Sequence, residues 1–478
     1  MKITRRTLLG SSLAAGATLV STQGAAQPHQ HPTPPASPPA APPPPPDAPA
    51  HQHPTPDPSA TPPPAHQHST GPRAATAAAI APGPVQPPYP GVPGHRVVVP
   101  NGWLLPWTTR RGVKIFHLRA ETVRHQIAPG LDVEAWGYNG STPGPVIEAV
   151  AGDRVRVYVT NHLPEPTSIH WHGILVPYGM DGVVGLTQAP IAPGKTFRYE
   201  FVFDRPGTFM YHPHADEMTQ IALGMMGMIV VHPRAPETRR VRDYALMAHE
   251  WKIAIGTRRA DPLAMNDFNV LTFNSKAFPA TAPLVAEVGD LVRIRFANLG
   301  PMDHHPLHFH GHVFEVVATD GGAIAPSARV PETTVLVPVG TTRTIEFVAR
   351  VPGDWPLHCH MTHHAMNQMG HAAANLVGVD TRDLDARLAR IVPGAMAMGA
   401  TGMAEMAQMQ MPLPDNAISM IGGQGPHGTI DMGGMFTVVK VRDRLTGDGD
   451  PGWYRPARDV AIEATDDELA RDGIERTK

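Results

Sequence analysis

Between residues 96 and 380 the chain alternates apolar and polar side chains with a period of two. In Gly152-Asp-Arg-Val-Arg-Val-Tyr-Val-Thr-Asn161, Val155, Val157 and Val159 fall on one face and Arg154, Arg156 and Tyr158 on the other, as in a strand buried on one side only. The pattern returns 137 residues later, from Gly152 to Gly289, in Gly289-Asp-Leu-Val-Arg-Ile-Arg-Phe-Ala-Asn298. A second pair of segments, Pro193 to His214 and Val339 to His360, aligns without a gap. Pro-Gly and Asp-Gly dipeptides punctuate the short strands. This repeat predicts an all-β chain built of two homologous β-sandwich domains, at residues 96–236 and 237–380.

The flanks read differently. Residues 27–95 are dominated by Pro and Ala and cannot bury a core, so a disordered, partly polyproline tether is expected there. Its triplets His29-Gln-His31, His51-Gln-His53 and His66-Gln-His68 are either loose copper collectors or an expanded low-complexity repeat. Beyond residue 380, Thr381 to Ile391 places Leu384, Leu388 and Ile391 at helical spacing. The rest of an irregular C-terminal extension, residues 381–478, carries Met396, Met398, Met403, Met406, Met409 and Met411, with Met420, Met432 and Met435 further on. Thioethers suit soft Cu(I), and they equally suit packing into an apolar groove.

Charge and composition narrow the classes. A formal net charge of −3 at pH 7 gives no reason to expect nucleic acid or an anionic membrane as partner. Arg5-Arg6, a short apolar run and Gly24-Ala25-Ala26 read as a twin-arginine export signal over residues 1–26, with no permanent membrane span. Export implies an oxidising compartment where paired cysteines would form disulfides, yet the chain has one unpaired cysteine. Metal ligation accounts for a lone thiol flanked by histidines; a buried inert cysteine is the plain alternative.

That cysteine lies in Trp355-Pro-Leu-His358-Cys359-His360, followed by His364 and Met369. On a strand His358 and His360 share one face and Cys359 takes the other, so a single peptide can touch two metal sites. Cys359, His364 and Met369 need one more histidine to make the ligand set of a blue-copper electron-transfer centre. His305, in His305-Pro306, stands at a suitable spacing before His308-Phe-His310. Two further pairs, His170-Trp-His172 and His212-Pro-His214, bring the paired imidazoles to eight.

Taken in order, these four motifs resemble the copper-ligand motifs of the multicopper oxidases, the family of laccases, cuprous oxidases and ceruloplasmin. The resemblance implies two tandem cupredoxin-type Greek-key domains. It assigns His305, Cys359, His364 and Met369 to a type 1 copper that accepts electrons singly. His170 and His308 would hold type 2 copper, and His172, His212, His214, His310, His358 and His360 a type 3 pair. Cys359 with its neighbours His358 and His360 would carry electrons to this cluster, where dioxygen becomes water. The first domain has Thr167, Pro213, Met218 and Leu223 where the second has the type 1 ligands. The chain thus resembles the two-domain small laccases, whose clusters form between neighbouring subunits, and a homotrimer is expected.

Other roles follow the same resemblance. Asp181, nine residues after His172, stands where relatives carry an acid near type 2 copper, although Asp-Gly is also a common turn. The residue after His364 is Ala365 where some relatives have a second acid, leaving Asp216 or Glu217 as substitutes or a differently organised relay. His304, His312, His363 and His371 crowd the motifs without being needed as ligands. A Met axial ligand implies a modest potential and easily oxidised donors, either Cu(I) or phenols and aromatic amines. Two alternatives remain: a copper nitrite reductase, whose blue copper would belong in the first domain, and a non-enzymatic periplasmic copper-binding protein.

Overall fold

A computed structural model describes residues 97–368, 379–391, 413–447, 449–455 and 463–476. The export signal, the His-rich tether, Met369, His371 and the methionines from Met396 to Met411 lie outside the described residues. Among the described residues the α-helices are three and short, Glu217–Ala222, Arg382–Ile391 and Asp466–Arg471. None is long and apolar enough to cross a membrane. The helix anticipated after residue 380 is present, with Leu384 and Ile391 exposed.

The alternating segments become strands of two β-sandwiches. In the first, one sheet runs Trp107–Arg110, Val113–Ala128, Arg154–Asn161, Thr196–Val202, with Leu131–Tyr138 also on Val113–Ala128. The other runs Ile147–Val150, Gly227–His232, Gly207–His212, His170–His172. Val155, Val157 and Val159 point into the core that the two sheets share, together with Trp171, Tyr199 and Ile229. Each such aliphatic side chain contributes about 1.5–3 kcal/mol when fully buried.

The second sandwich repeats this plan. One sheet contains Val270–Phe273, Val241–Trp251, Leu291–Asn298, Thr341–Val348 and Phe314–Thr319, and the other runs Leu284–Glu287, Phe436–Arg442, Gly353–Cys359, His305–Phe309, Thr334–Val337. Even the parallel pairs correspond: Val113–Ala128 on Arg154–Asn161 matches Val241–Trp251 on Leu291–Asn298. Met210, Met226 and Met228 of the first sandwich and Met247, Ala297 and Leu299 of the second form an apolar seam between them. Beside it Arg295 donates to both carboxylate oxygens of Asp243 and to Thr208.

A boundary at residue 380 needs correction. Phe436–Arg442 lies in the C-terminal extension, yet it pairs in parallel with Leu284–Glu287 and antiparallel with Gly353–Cys359. Its counterpart in the first sandwich, Gly227–His232, starts 15 residues after His212 (212 to 227), whereas Phe436 comes 78 after His358 (358 to 436). The methionine-bearing stretch is therefore an insertion ahead of the last strand. Met435 is fully buried in the second core, and Met432 packs beside Phe278, Phe436 and Val438.

Candidate metal centre

Strand alternation builds the first of the two donor sets. His305–Phe309 and Gly353–Cys359 pair with Leu307 opposite Cys359 and His308 opposite His358. Cys359 thus points into the apolar core of the second sandwich while His308 and His358 leave on the other face. Cys359 Sγ lies 3.5 Å from His364 Nδ1 and 3.7 Å from His305 Nδ1. All three side chains are buried, and their donor atoms lie within 4.8 Å of one another. Burial pushes the Cys359 thiol up to about 12, with Asp303 and Glu250 adding to the effect. A bound cation reverses that balance and draws out the thiolate. Burial, with His305 beside it, pulls His364 down to about 4, which leaves the ring neutral at pH 7 with a lone pair to give.

The loop bearing His364 is clasped by the insertion. Cys359 N donates to Met435 O at 3.0 Å, Met435 N to His364 O at 2.9 Å, and Gly433 N to Ala365 O at 2.8 Å. Gly434 sits at φ 58, and a Cβ there would strike the His364 carbonyl, so glycine is required for the close approach.

Two acids that no motif in the sequence marks stand behind the His305 and His364 rings. Glu250 Oε2 is 3.3 Å from His305 Nε2, and Asp303 Oδ2 is 3.5 Å from His364 Nε2. Glu250 carried no local signal: that every residue from Asp243 to Trp251 is buried is set by the fold, and its partner lies 55 residues away. Asp303 lies two residues before His305 and could have been singled out by proximity.

The eight paired histidines form two quartets. Strand His170–His172 pairs with Gly207–His212 so that Trp171 enters the core and its flanking histidines leave it. His172 Nδ1 lies 3.3 Å from His212 Nε2, and the His170 ring centroid is 5.3 Å from that of His212 and 5.7 Å from that of His214. In the second sandwich His310 Nε2 is 3.1 Å from His358 Nε2, and the His308 centroid is 5.3 Å from that of His360. Among the described residues no ring contact joins one quartet to the other.

Backbone carbonyls fix how these rings face. His170 Nδ1–H donates to Asp181 O at 2.9 Å, His212 to Pro213 O at 2.9 Å, His308 to Thr333 O at 2.8 Å and His358 to Cys359 O at 2.9 Å. A carbonyl only accepts, so Nδ1 carries the hydrogen, and it is Nε2 that bears the lone pair in the neutral tautomer. Burial holds His212 at about 3 despite its carbonyl bond, and burial followed by neighbouring rings lowers His310.

The remaining candidates fall into place around the quartets. The Asp181 carboxylate is 3.4 Å from His170 Nδ1. Glu217, in the first turn of Glu217–Ala222, has Oε1 3.4 Å from His212 Nδ1 and Oε2 3.5 Å from His214 Nε2. Asp216 instead occupies the cap position at φ 45. In the first sandwich the place of a type 1 ligand is taken by Thr167, which donates to Gln220 at 2.7 Å. His304 accepts from Val339 N, and His312 accepts from Arg350 N while stacking on Phe309.

A cysteine with two buried imidazoles, and imidazoles in convergent fours, define a copper protein of the cupredoxin type. Two family profiles, each described as multicopper oxidase, match residues 119–236 and 254–378. The chain belongs to the multicopper oxidase family, and copper is its cofactor. It is 33% identical over 225 residues to Laccase-1 of Cryptococcus neoformans var. grubii, covering 41% of this chain and 36% of that protein. It is 28% identical over 354 residues to Copper resistance protein A of Escherichia coli, covering 62% and 56%. Among solved structures, the multicopper oxidase mgLAC superposes with a TM-score of 0.52 at 29% identity, covering 70% of this chain and 88% of that one. The chain spans about a third to just over half the length of these two curated relatives.

Proposed function

We propose that this chain is an exported multicopper oxidase that couples one-electron oxidation of a donor to the four-electron reduction of dioxygen to water. The observation that carries the reading is the Cys359 strand. Its thiol faces His305 and His364 at 3.7 and 3.5 Å, while His358, its covalent neighbour, stands in the second quartet. Copper, when bound, supplies one-electron redox chemistry, and four such centres match the four electrons that dioxygen requires.

His305, Cys359 and His364, with Met369, are the type 1 ligands. His170 and His308 serve type 2 copper; His172, His212, His214, His310, His358 and His360 serve the type 3 pair. Buried Leu357 and Phe309 keep water from the thiol, and the Cys359 backbone gives a short covalent path to His358 and His360. Asp181 orients His170 through its carbonyl and can hold a proton on its carboxylate beside the quartet. With Ala365 in the second acid's place, Glu217 is the group positioned to serve there.

The separated quartets favour a cluster closed between copies, and hence a homotrimer. Leu175, Tyr178, Leu186 and Met218, at 70, 69, 69 and 60% exposure, surround the first quartet in sequence and supply apolar surface for such an interface. The Arg5-Arg6 segment supports export. Similarity to Copper resistance protein A, with the His-rich and Met-rich stretches, favours Cu(I) as donor, and similarity to Laccase-1 favours phenols or aromatic amines.

Copper-loaded protein should be intensely blue and consume dioxygen with one of these donors, and Cys359→Ser should lose the colour while remaining folded. Colour that survives this substitution refutes the proposal. Copper binding without oxygen uptake would favour a copper-storage role instead.

A further inference from the structure

Glu250 has no place among the donors, yet its carboxylate is wholly buried against one of them. It lies on Val241–Trp251, 55 residues from His305 in sequence. Oε1 accepts the backbone N–H of Met302 at 2.7 Å and of Asp303 at 2.8 Å, and Oε2 faces His305 Nε2 at 3.3 Å. Backbone amides only donate, so Oε1 must be an acceptor, and an ionised carboxylate satisfies every group around it.

The surroundings are shaped for this group. A Cβ on Gly300 would overlap the Glu250 carboxylate, so the glycine makes room for it. Gly300 N in turn donates to Asn298 Oδ1 at 2.9 Å, which fixes the turn leading to His305. Next to Glu250, His249 directs its Nδ1–H to Leu299 O and does not compete for the carboxylate.

We propose that Glu250 is a positioning residue for the type 1 site: it receives the His305 Nε2–H, keeps Nδ1 turned to Cys359, and lowers the reduction potential through its fixed charge. The inference rests on reading His305, Cys359 and His364 as a copper site. A neutral acceptor would orient the ring equally well. A buried anion does more, because it favours the more positive oxidation state of a metal at the ring's other nitrogen.

The test is a redox titration of the blue absorption in copper-loaded full-length protein. Glu250→Gln removes the charge at nearly constant shape and should raise the type 1 potential while the blue band persists. Glu250→Asp keeps the charge one methylene further away and should give a smaller rise. An unchanged potential in Glu250→Gln overturns the proposal. If that variant does not accumulate, Gly300→Ala, which displaces the carboxylate without removing it, should also raise the potential, and an unchanged potential there overturns it equally. A parent protein that takes up copper without turning blue sinks the copper-site reading instead, a result separable from failure of the Glu250 role.

Discussion

Ending the chain at residue 380 should abolish folding of the second sandwich, although both matched family regions and every described histidine of the site would remain. The truncation removes Phe436–Arg442, a central strand between Leu284–Glu287 and Gly353–Cys359. Met435, Phe436, Val438, Val439 and Val441 are all buried there. Five such side chains at about 1.5–3 kcal/mol each come to roughly 8–15 kcal/mol of lost burial. That rivals the whole stability of a typical domain, about 5–15 kcal/mol. Two rows of backbone hydrogen bonds are lost as well, among them the bonds that tie Cys359 and His364 to Met435. Removing only residues 392–411 spares all of these contacts. Circular dichroism, thermal melting and copper loading should therefore show an unfolded or aggregated protein for the truncation and a blue, cooperatively melting one for the internal deletion. A blue, cooperatively melting 1–380 fragment would refute the reasoning. The same comparison makes the internal deletion the right probe of Cu(I) delivery: a selective loss of the cuprous rate, with phenol oxidation kept, is expected if those methionines supply the ion.

Asp181→Asn keeps the carbonyl that holds His170 and loses only the carboxylate charge, so oxygen reduction should fall about 10–100-fold while anaerobic bleaching of the blue colour by a donor is unchanged; equal slowing of both steps counts against a role near the quartet. Copper-free protein should lose stability on acidification from about pH 6.5 towards 4. Burial holds His249 at about 4 and His212 at about 3, so below pH 6.5 the unfolded chain binds protons that the folded chain refuses, at up to about 1.4 kcal/mol per pH unit for each group. A melting temperature that stays flat from pH 7 to 4.5 contradicts this. Leu175→Asp combined with Leu186→Asp should turn a trimer into monomers in analytical ultracentrifugation and stop oxygen uptake with the blue band retained, whereas monomers of full activity would exclude an interface cluster.

What could be read from the chain, and what could not, follows the range of the interaction responsible. Val155, Val157 and Val159 announce their strand because the pleat alone sets their spacing, and the His-x-His pairs announce theirs for the same reason. The offset between Gly152 and Gly289 reveals the duplication because both copies solve one packing problem with similar residues. Phe436-Thr-Val-Val-Lys-Val-Arg442 has strand-forming residues too, but nothing local says that its neighbours are Leu284–Glu287 and Gly353–Cys359. An apolar strand beyond a long insertion reads as part of a tail until pairing is known. Glu250 was hidden in the same way. Its partner His305 is 55 residues off, and only the fold brings them together. The long-range contacts thus carry what the motifs lack: the motifs identify which atoms can hold copper, while Glu250, Asp303 and the clasp at Gly433 to Met435 govern how the rings are aimed and how firmly the loop holds. Tuning of the type 1 site should accordingly vary with these distant residues even where the ligands are identical.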